Sequence, residues 1–391
     1  PMFEDLGLEP EDNSAPSSSL INQEDGEELA PPSSSDLCLG HDEIEQKLLH
    51  LSESGKLPHA MIFSGPEGIG KATFAYRFIR FLLSNPPVDN TEGDSLFGDD
   101  LPPPTKADNM SVNRDSDVFA KVASGGHPDF RVIERRTDEK SGKLKTTLDL
   151  EEIKDIPSFL RLTPAEGGWR IVLIDDAETM NRFAQNAILK ILEEPPERSI
   201  LILITRSVGA LIPTIRSRSR VFHFAPLSSE YMDDLIGRIQ PNLPEQDKKL
   251  LMTLSGGQIG LAERYFDSGG LESLSQLLQT LENWPDFNWE EIYKLSDQLG
   301  QKGQDGRYEC FRDSFLSILR RLIKSKAGHL DQPEMGFETS SLNTIYGGFD
   351  LQGLINLHDT IEHHFAEADK TYLDRRQTVL NTFFKLAKVA A

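Results

Sequence analysis

The stretch that most restricts the fold runs from Ala60 to Leu82. A short apolar run at 60–63 passes into Gly65-Pro66-Glu67-Gly68-Ile69-Gly70-Lys71-Ala72-Thr73, and then into a segment with Phe74, Ala75, Phe78, Ile79 and Leu82 at helical spacing. Strand, glycine-rich turn and helix in that order are the setting of a phosphate-binding loop. The glycines let backbone N–H groups turn inward, the helix start adds partial positive charge, and Lys71 can reach outer phosphates. Gly65, Gly68, Gly70 and Lys71 are therefore candidate nucleotide-binding residues. A glycine-rich turn with an unrelated lysine is the alternative, and the flanking strand and helix weigh against it.

The loop lacks one part. Magnesium needs Ser or Thr directly after the lysine, and this chain has Ala72 there. Thr73 is one residue further, turned by about 100° around the helix. A second element, Arg170-Ile171-Val172-Leu173-Ile174-Asp175-Asp176-Ala177-Glu178, reads as a buried strand ending in two carboxylates, the shape of a Walker B segment. Asp175 is the candidate magnesium holder, Asp176 stands in the water-orienting place, and Glu178 is out of register for that task.

Apolar runs at 130–133, 171–174, 200–204 and 221–224 add four more strands, separated by helical segments. Such alternation predicts a parallel sheet covered by helices on both faces. After Pro226 the strand signal ends. Ser228 or Ser229 caps a helix carrying Met232, Leu235, Ile236 and Ile239, and Gly256-Gly257 breaks the helices. Stripes of Phe311, Phe315, Ile318, Leu319, Leu322 and Ile323, and of Val379, Leu380, Phe383, Phe384 and Leu386, read as core and subunit contact. Residues 1–36 and 85–120, rich in Ser, Pro and acids with few large apolar groups, predict a disordered tail and a disordered loop insertion, both dispensable for folding.

The chain has 391 residues, a length for two or three domains. Its two cysteines exclude a disulfide framework beyond one bridge and fit a reduced, cytoplasmic protein. The start is acidic and shows no signal sequence, and the longest clean apolar run, 200–204, is too short to span a bilayer, so a membrane partner is not expected. Net charge is −22, yet residues 1–40 hold ten acids without Lys or Arg, and 85–120 hold eight acids against Lys106 and Arg114. The remainder is only mildly acidic, so bulk charge neither indicates nor excludes contact with nucleic acid.

The longest specific pattern follows the paired acids. Asn186-Ala187-Ile188-Leu189-Lys190-Ile191-Leu192-Glu193-Glu194-Pro195-Pro196 resembles the Asn-Ala-Leu-Leu-Lys-x-Leu-Glu-Glu-Pro-Pro helix of bacterial DNA polymerase III clamp-loader subunits. Thr205 then stands in the place of the AAA+ sensor 1 residue. Ser217-Arg218-Ser219 resembles the clamp-loader Ser-Arg-Cys motif with Ser219 for the cysteine, and Leu57-Pro58-His59-Ala60 and His127-Pro128-Asp129-Phe130 look like delta-prime signatures. The resemblance, to the delta-prime kind of clamp-loader subunit, covers residues 37–270.

It implies an α/β fold: an AAA+ P-loop domain with a parallel sheet at 37–225, a helical lid at 226–270 and an all-helical collar at 271–391. It implies partnership with clamp-loader motor subunits, a delta subunit, the sliding clamp and primed DNA, within the DNA polymerase III holoenzyme. Arg218 would act in trans, as an arginine finger on a neighbour's ATP. Asp176 replaces the family ATPases' glutamate and is one methylene short, and Gly260 stands where active relatives have a sensor 2 arginine. With Ala72, these departures point to a subunit that does not hydrolyse ATP, requires no cofactor and at most holds ATP or ADP passively. Residues 84–126 contain no cysteine, so the zinc module of many relatives is not expected. The alternatives are an active AAA+ motor and a P-loop kinase for a small metabolite; the Ser-Arg-Ser and Glu-Glu-Pro-Pro elements have no role in the latter.

Overall fold

The computed structural model describes residues 29–87, 107–137, 145–329, 340–371 and 373–389. Five strands, β1 (Ala60–Ser64), β2 (Phe130–Ile133), β3 (Arg170–Ile174), β4 (Ser199–Thr205) and β5 (Arg220–His223), form one parallel sheet in the order β2-β3-β4-β1-β5. Each lies within a residue of its expected limits. β1, β3 and β4 are buried at every position, as continuous apolar parallel strands covered on both faces should be. The pleat sorts their side chains. Met61 and Phe63 face the core shared with Phe74 and Phe78 of the helix Lys71–Ser84, and Ala60 and Ile62 face the core shared with Ile188 and Leu192.

This strand order puts β1 between β4 and β5, with β3 beyond β4. The loops leaving β1, β3 and β4 therefore emerge side by side at the carboxyl edge of the sheet, where open α/β sheets bind ligands. The Gly65 N–H donates to the Thr205 carbonyl at 3.2 Å, tying the first loop to the third.

The strands end at β5 and helices follow. Ser228 is the cap of Ser229–Ile239, its hydroxyl accepting the Tyr231 N–H. Gly256, in the left-handed region, closes Glu245–Ser255. The residues expected as lid and collar share one apolar core that reaches from Leu227 to Leu386. Tyr265 of the helix Ile259–Asp267 joins Ser314 of the long helix Asp305–Lys326 by a 2.6 Å hydroxyl contact. Of the last stripe, Val379, Phe383 and Leu386 are buried, whereas Phe384 is half-exposed and stacks on Trp289 with ring centroids 4.4 Å apart. The fold is thus the expected class, an AAA+ P-loop sheet followed by a helical region.

Two expectations need correction. Residues 1–28 and 88–106 lie outside the described residues, but 29–36 and 107–120 are packed. Ser34 and Ser35 turn back onto the Pro31 carbonyl, and Arg80 donates to the carbonyls of Ser33 and Ser35. Met110 is fully buried with its N–H on Glu45, and Ser116 caps the helix Asp117–Ala123, which buries Phe119 and Val122. Average composition concealed this. A few apolar residues at the end of a polar segment suffice once a neighbouring helix offers a groove and a buried arginine that needs acceptors.

Candidate functional site

A cavity of about 480 Å³ opens where the β1, β3 and β4 loops meet the helical region. Its wall includes the phosphate loop from Glu67 to Thr73, the pair Asp175 and Asp176, Thr205 and Arg206, the strap of residues around Leu29–Leu39, and Ile259 and Gly260 of the helix Ile259–Asp267. The structure thus brings together the predicted residues Gly68, Gly70, Lys71, Asp175, Asp176 and Thr205. Gly65 stands behind them at the end of β1, where a Cβ would come within 2.4 Å of the Phe224 carbonyl.

Gly68 and Gly70 have φ of 70° and 90°, a backbone only glycine adopts without strain, and they turn the loop into the helix Lys71–Ser84. His41 supports the turn from beneath. Its Nε2 lies 2.7 Å from the Ile69 carbonyl, and its ring packs edge-on against Phe224 and Phe74. Burial holds this imidazole below the usual histidine range, against the pull of the Ile69 hydrogen bond and Asp42, so the neutral ring donates from Nε2. Lys71 is buried and folds back over its own loop, donating to the carbonyls of Gly65 (2.8 Å) and Pro66. Burial lowers its pKa, with Asp175 opposing.

The acids are occupied from within. Burial and the neighbouring Asp176 push the Asp175 carboxyl up to about 6. Asp176 sits in the left-handed region, and Arg135, two residues past β2, grips its carboxylate with Nε at 2.9 Å and Nη2 at 2.6 Å. Thr205 is buried and its hydroxyl is spent locally, donating to the Ser207 carbonyl and accepting the Ser207 N–H. Arg206 next to it spans the cavity rim, with Nε 2.6 Å from Glu178 and Nη1 2.8 Å from Glu67. Burial would raise Glu178, but the Arg206 contact outweighs it and holds the carboxyl below the usual range. Sequence reading missed Arg135 and Arg206. The only local hint was a basic residue just past an apolar strand, which says nothing about its partner.

Gly260 rests directly on the loop: its N–H donates to the Gly68 carbonyl at 3.0 Å, and a Cβ there would lie 3.0 Å from Gly68 Cα. The wall therefore fits a phosphate group, through turned-in N–H groups and a helix start. For magnesium it is one ligand short, because Ala72 offers none beside Asp175, and Arg135 already neutralises Asp176 in the water-orienting place.

Arg218 is not part of this wall. It ends the helix Pro213–Arg218, half-exposed, with Nη2 3.1 Å from Glu193 and Nη1 3.3 Å from the Thr214 carbonyl. The arginine of the Ser-Arg-Ser element and the Glu-Glu-Pro-Pro string are thereby joined on one surface. His127-Pro128-Asp129 serves structure: Asp129 accepts the N–H groups of Ala165 and Glu166 and pairs with Arg170, fixing the loop that leads into β3. Among the described residues one cluster, His358, Asp359 and Glu362, has the spacing of a metal site, but Arg320 lies 3.2 Å from His358 and 3.9 Å from Glu362 and supplies positive charge instead. No helix among the described residues is long and apolar enough to cross a membrane.

A parallel sheet with a phosphate loop after β1, paired acids after β3, a buried threonine ending β4 and a helix seated on the loop define an AAA+-type P-loop protein. Residues 104–228 match the family described as DNA polymerase III, delta subunit. The chain is 31% identical over 222 residues to DNA polymerase III subunit delta′ of Pseudomonas aeruginosa, covering 56% of this chain and 60% of that one. It is 25% identical over 277 residues to the Escherichia coli delta′ subunit, covering 71% and 74%. It is 29% identical over 209 residues to subunit gamma/tau of Mycobacterium bovis, covering 53% and 31%. The chain is thus similar, over part of its length, to the delta′ and gamma/tau subunits of DNA polymerase III. The matched stretch spans less than two thirds of the Pseudomonas relative's length.

Proposed function

We propose that the chain is a delta-prime-like clamp-loader subunit that does not hydrolyse ATP. It works beside motor subunits and a delta subunit to place a sliding clamp on primed DNA, and it lends Arg218 to a neighbouring ATPase site. The observation that carries the first half is the internal occupation of its own site: Arg135 on Asp176, Lys71 on loop carbonyls, and Ala72 where a metal ligand is needed. Hydrolysis requires a metal and an oriented water, and these contacts oppose both. The second half is supported by the half-exposed guanidinium of Arg218 at a helix end, away from its own cavity. A guanidinium is always charged and forks onto phosphate oxygens, which suits it to a neighbour's γ-phosphate. The proposed role needs no resident cofactor and no zinc.

The pure chain should show no magnesium-dependent ATPase; turnover abolished by Lys71→Ala would favour an active motor instead. In a reconstituted loader, Arg218→Ala should leave assembly intact and lower DNA-stimulated hydrolysis at the one site it serves, where such a group is typically worth about 10³–10⁵ in rate. Clamp loading should fall with it, and Arg216→Ala and Arg220→Ala should do less. Wild-type loading by the Arg218 variant would remove the trans-acting role.

A further inference from the structure

The segment before the sheet bears on the cavity in a way that the trans-acting role does not use. Arg80 is 2% exposed and, among the described residues, the largest fully buried side chain. It lies on the same helix whose start forms the phosphate cradle, nine residues beyond Lys71 and so about 14 Å along the axis. Its guanidinium packs 4.4 Å from the Phe119 ring centroid. Among the described residues its hydrogen bonds go to two main-chain carbonyls, Ser33 at 2.9 Å and Ser35 at 2.6 Å. A buried cation without such acceptors would carry a large desolvation cost, so arginine and segment hold each other in place. The grip is reinforced locally. The Ser34 and Ser35 N–H groups both donate to Pro31 O at 2.9 Å, Ser35 Oγ donates to Leu37 O at 3.1 Å, and Arg77, paired with Glu45, reaches the Asp36 carbonyl at 3.4 Å.

The segment held in this way also forms a wall of the cavity. Leu29, Pro31, Pro32, Leu37 and Leu39 line it together with Leu235 and Ile259 of the helical region, and so do the N–H cradle and Lys71. The lining thus combines apolar groups with a cradle that suits an anion, as a nucleotide's base and phosphates require, and the volume falls in the range of small-molecule sites. We propose that residues 29–39 are a strap, pinned by Arg80, that closes the base side of this cavity, so that a nucleoside diphosphate or triphosphate enters, without magnesium, only when the strap lifts. Helix Lys71–Ser84 then couples the two functions, with the cradle at its start and the pin on its third turn.

The test uses the full chain and a fluorescent ADP analogue in chelator, with stopped-flow association and hydrogen exchange at residues 29–39 read in parallel. Arg80→Gln removes the pin from the helix side. Ser35→Pro removes the Ser35 N–H and breaks the turn from the strap side, leaving the helix intact should the buried substitution fail to fold. The expected result is at least tenfold faster exchange in the strap and at least tenfold faster association in either variant, with Arg80→Lys between them and wild type. Nucleotide bound to wild type should slow strap exchange. Faster strap exchange with unchanged association would overturn the proposal, as would no binding by any of the proteins. ATP hydrolysis is not read, so either failure leaves the assignment of Arg218 untouched.

Discussion

Gly260 shows how one missing side chain reshapes the site. With no side chain between them, the backbone of Gly260 lies on the backbone of Gly68. Gly260→Arg should therefore pry the helical region off the loop. Gly260→Ala already places a Cβ 3.0 Å from Gly68 Cα, where neither backbone can yield cheaply; the expected loss is about 1–3 kcal/mol, read from urea unfolding. His41 supports the same loop as a neutral donor. Its folded pKa lies below its unfolded value of about 6.5, so the stability it contributes is complete above that pH and is lost as pH falls through the depressed folded value. Between pH 7 and 5 wild type should lose stability more steeply than His41→Gln, which keeps a donor for Ile69 but does not titrate. The difference in slope is at most one proton, about 1.4 kcal/mol per pH unit. Equal slopes in the two proteins would place the acid sensitivity elsewhere.

At the scale of elements, the helix Lys71–Ser84 organises more than its own face. It presents the phosphate cradle, buries Phe74 and Phe78 against β1, and anchors both flanking segments through Arg77 and Arg80. The end of the insertion is part of that structure. Met110 is fully buried and its N–H satisfies Glu45, which in turn pairs with Arg77. Met110→Ala should cost about 2–5 kcal/mol, the range for a buried methionine truncation. A melting temperature within a degree of wild type would mean that residues 107–123 merely lie on the surface of the sheet domain.

For the whole molecule, the consequence of one shared helical core is cooperative unfolding of residues that sequence reasoning assigned to two units. Tyr265 from one and Phe315 from the other lie in the same cluster and are both nearly inaccessible. Phe315→Ala, expected to cost about 3–5 kcal/mol, should lower amide protection across 229–267 as much as across 305–326 in native-state hydrogen exchange. Protection of 229–267 unchanged by this substitution would show that the two regions open independently.

What the sequence determined by itself was whatever depends on neighbours along the chain. Strand and helix periods, the glycine-rich turn at 65–70 and the cap at Ser228 are set within a few residues, and the structure places each within a residue or two of expectation. The missing hydroxyl at Ala72 is visible in the same way. Tertiary structure alone decided which charges meet. Arg135 and Asp176 are 41 positions apart, Arg206 and Glu67 139, and Arg80 and Ser33 47. No local pattern encodes such pairings, because they follow from the order in which parallel strands lie side by side, and that order places the ends of β1, β2, β3 and β4 near one another without regard to their distance in the chain. The same holds for the strap. A serine- and proline-rich segment has little reason to order until a buried arginine, fixed by a helix that begins more than thirty residues later, needs its carbonyls.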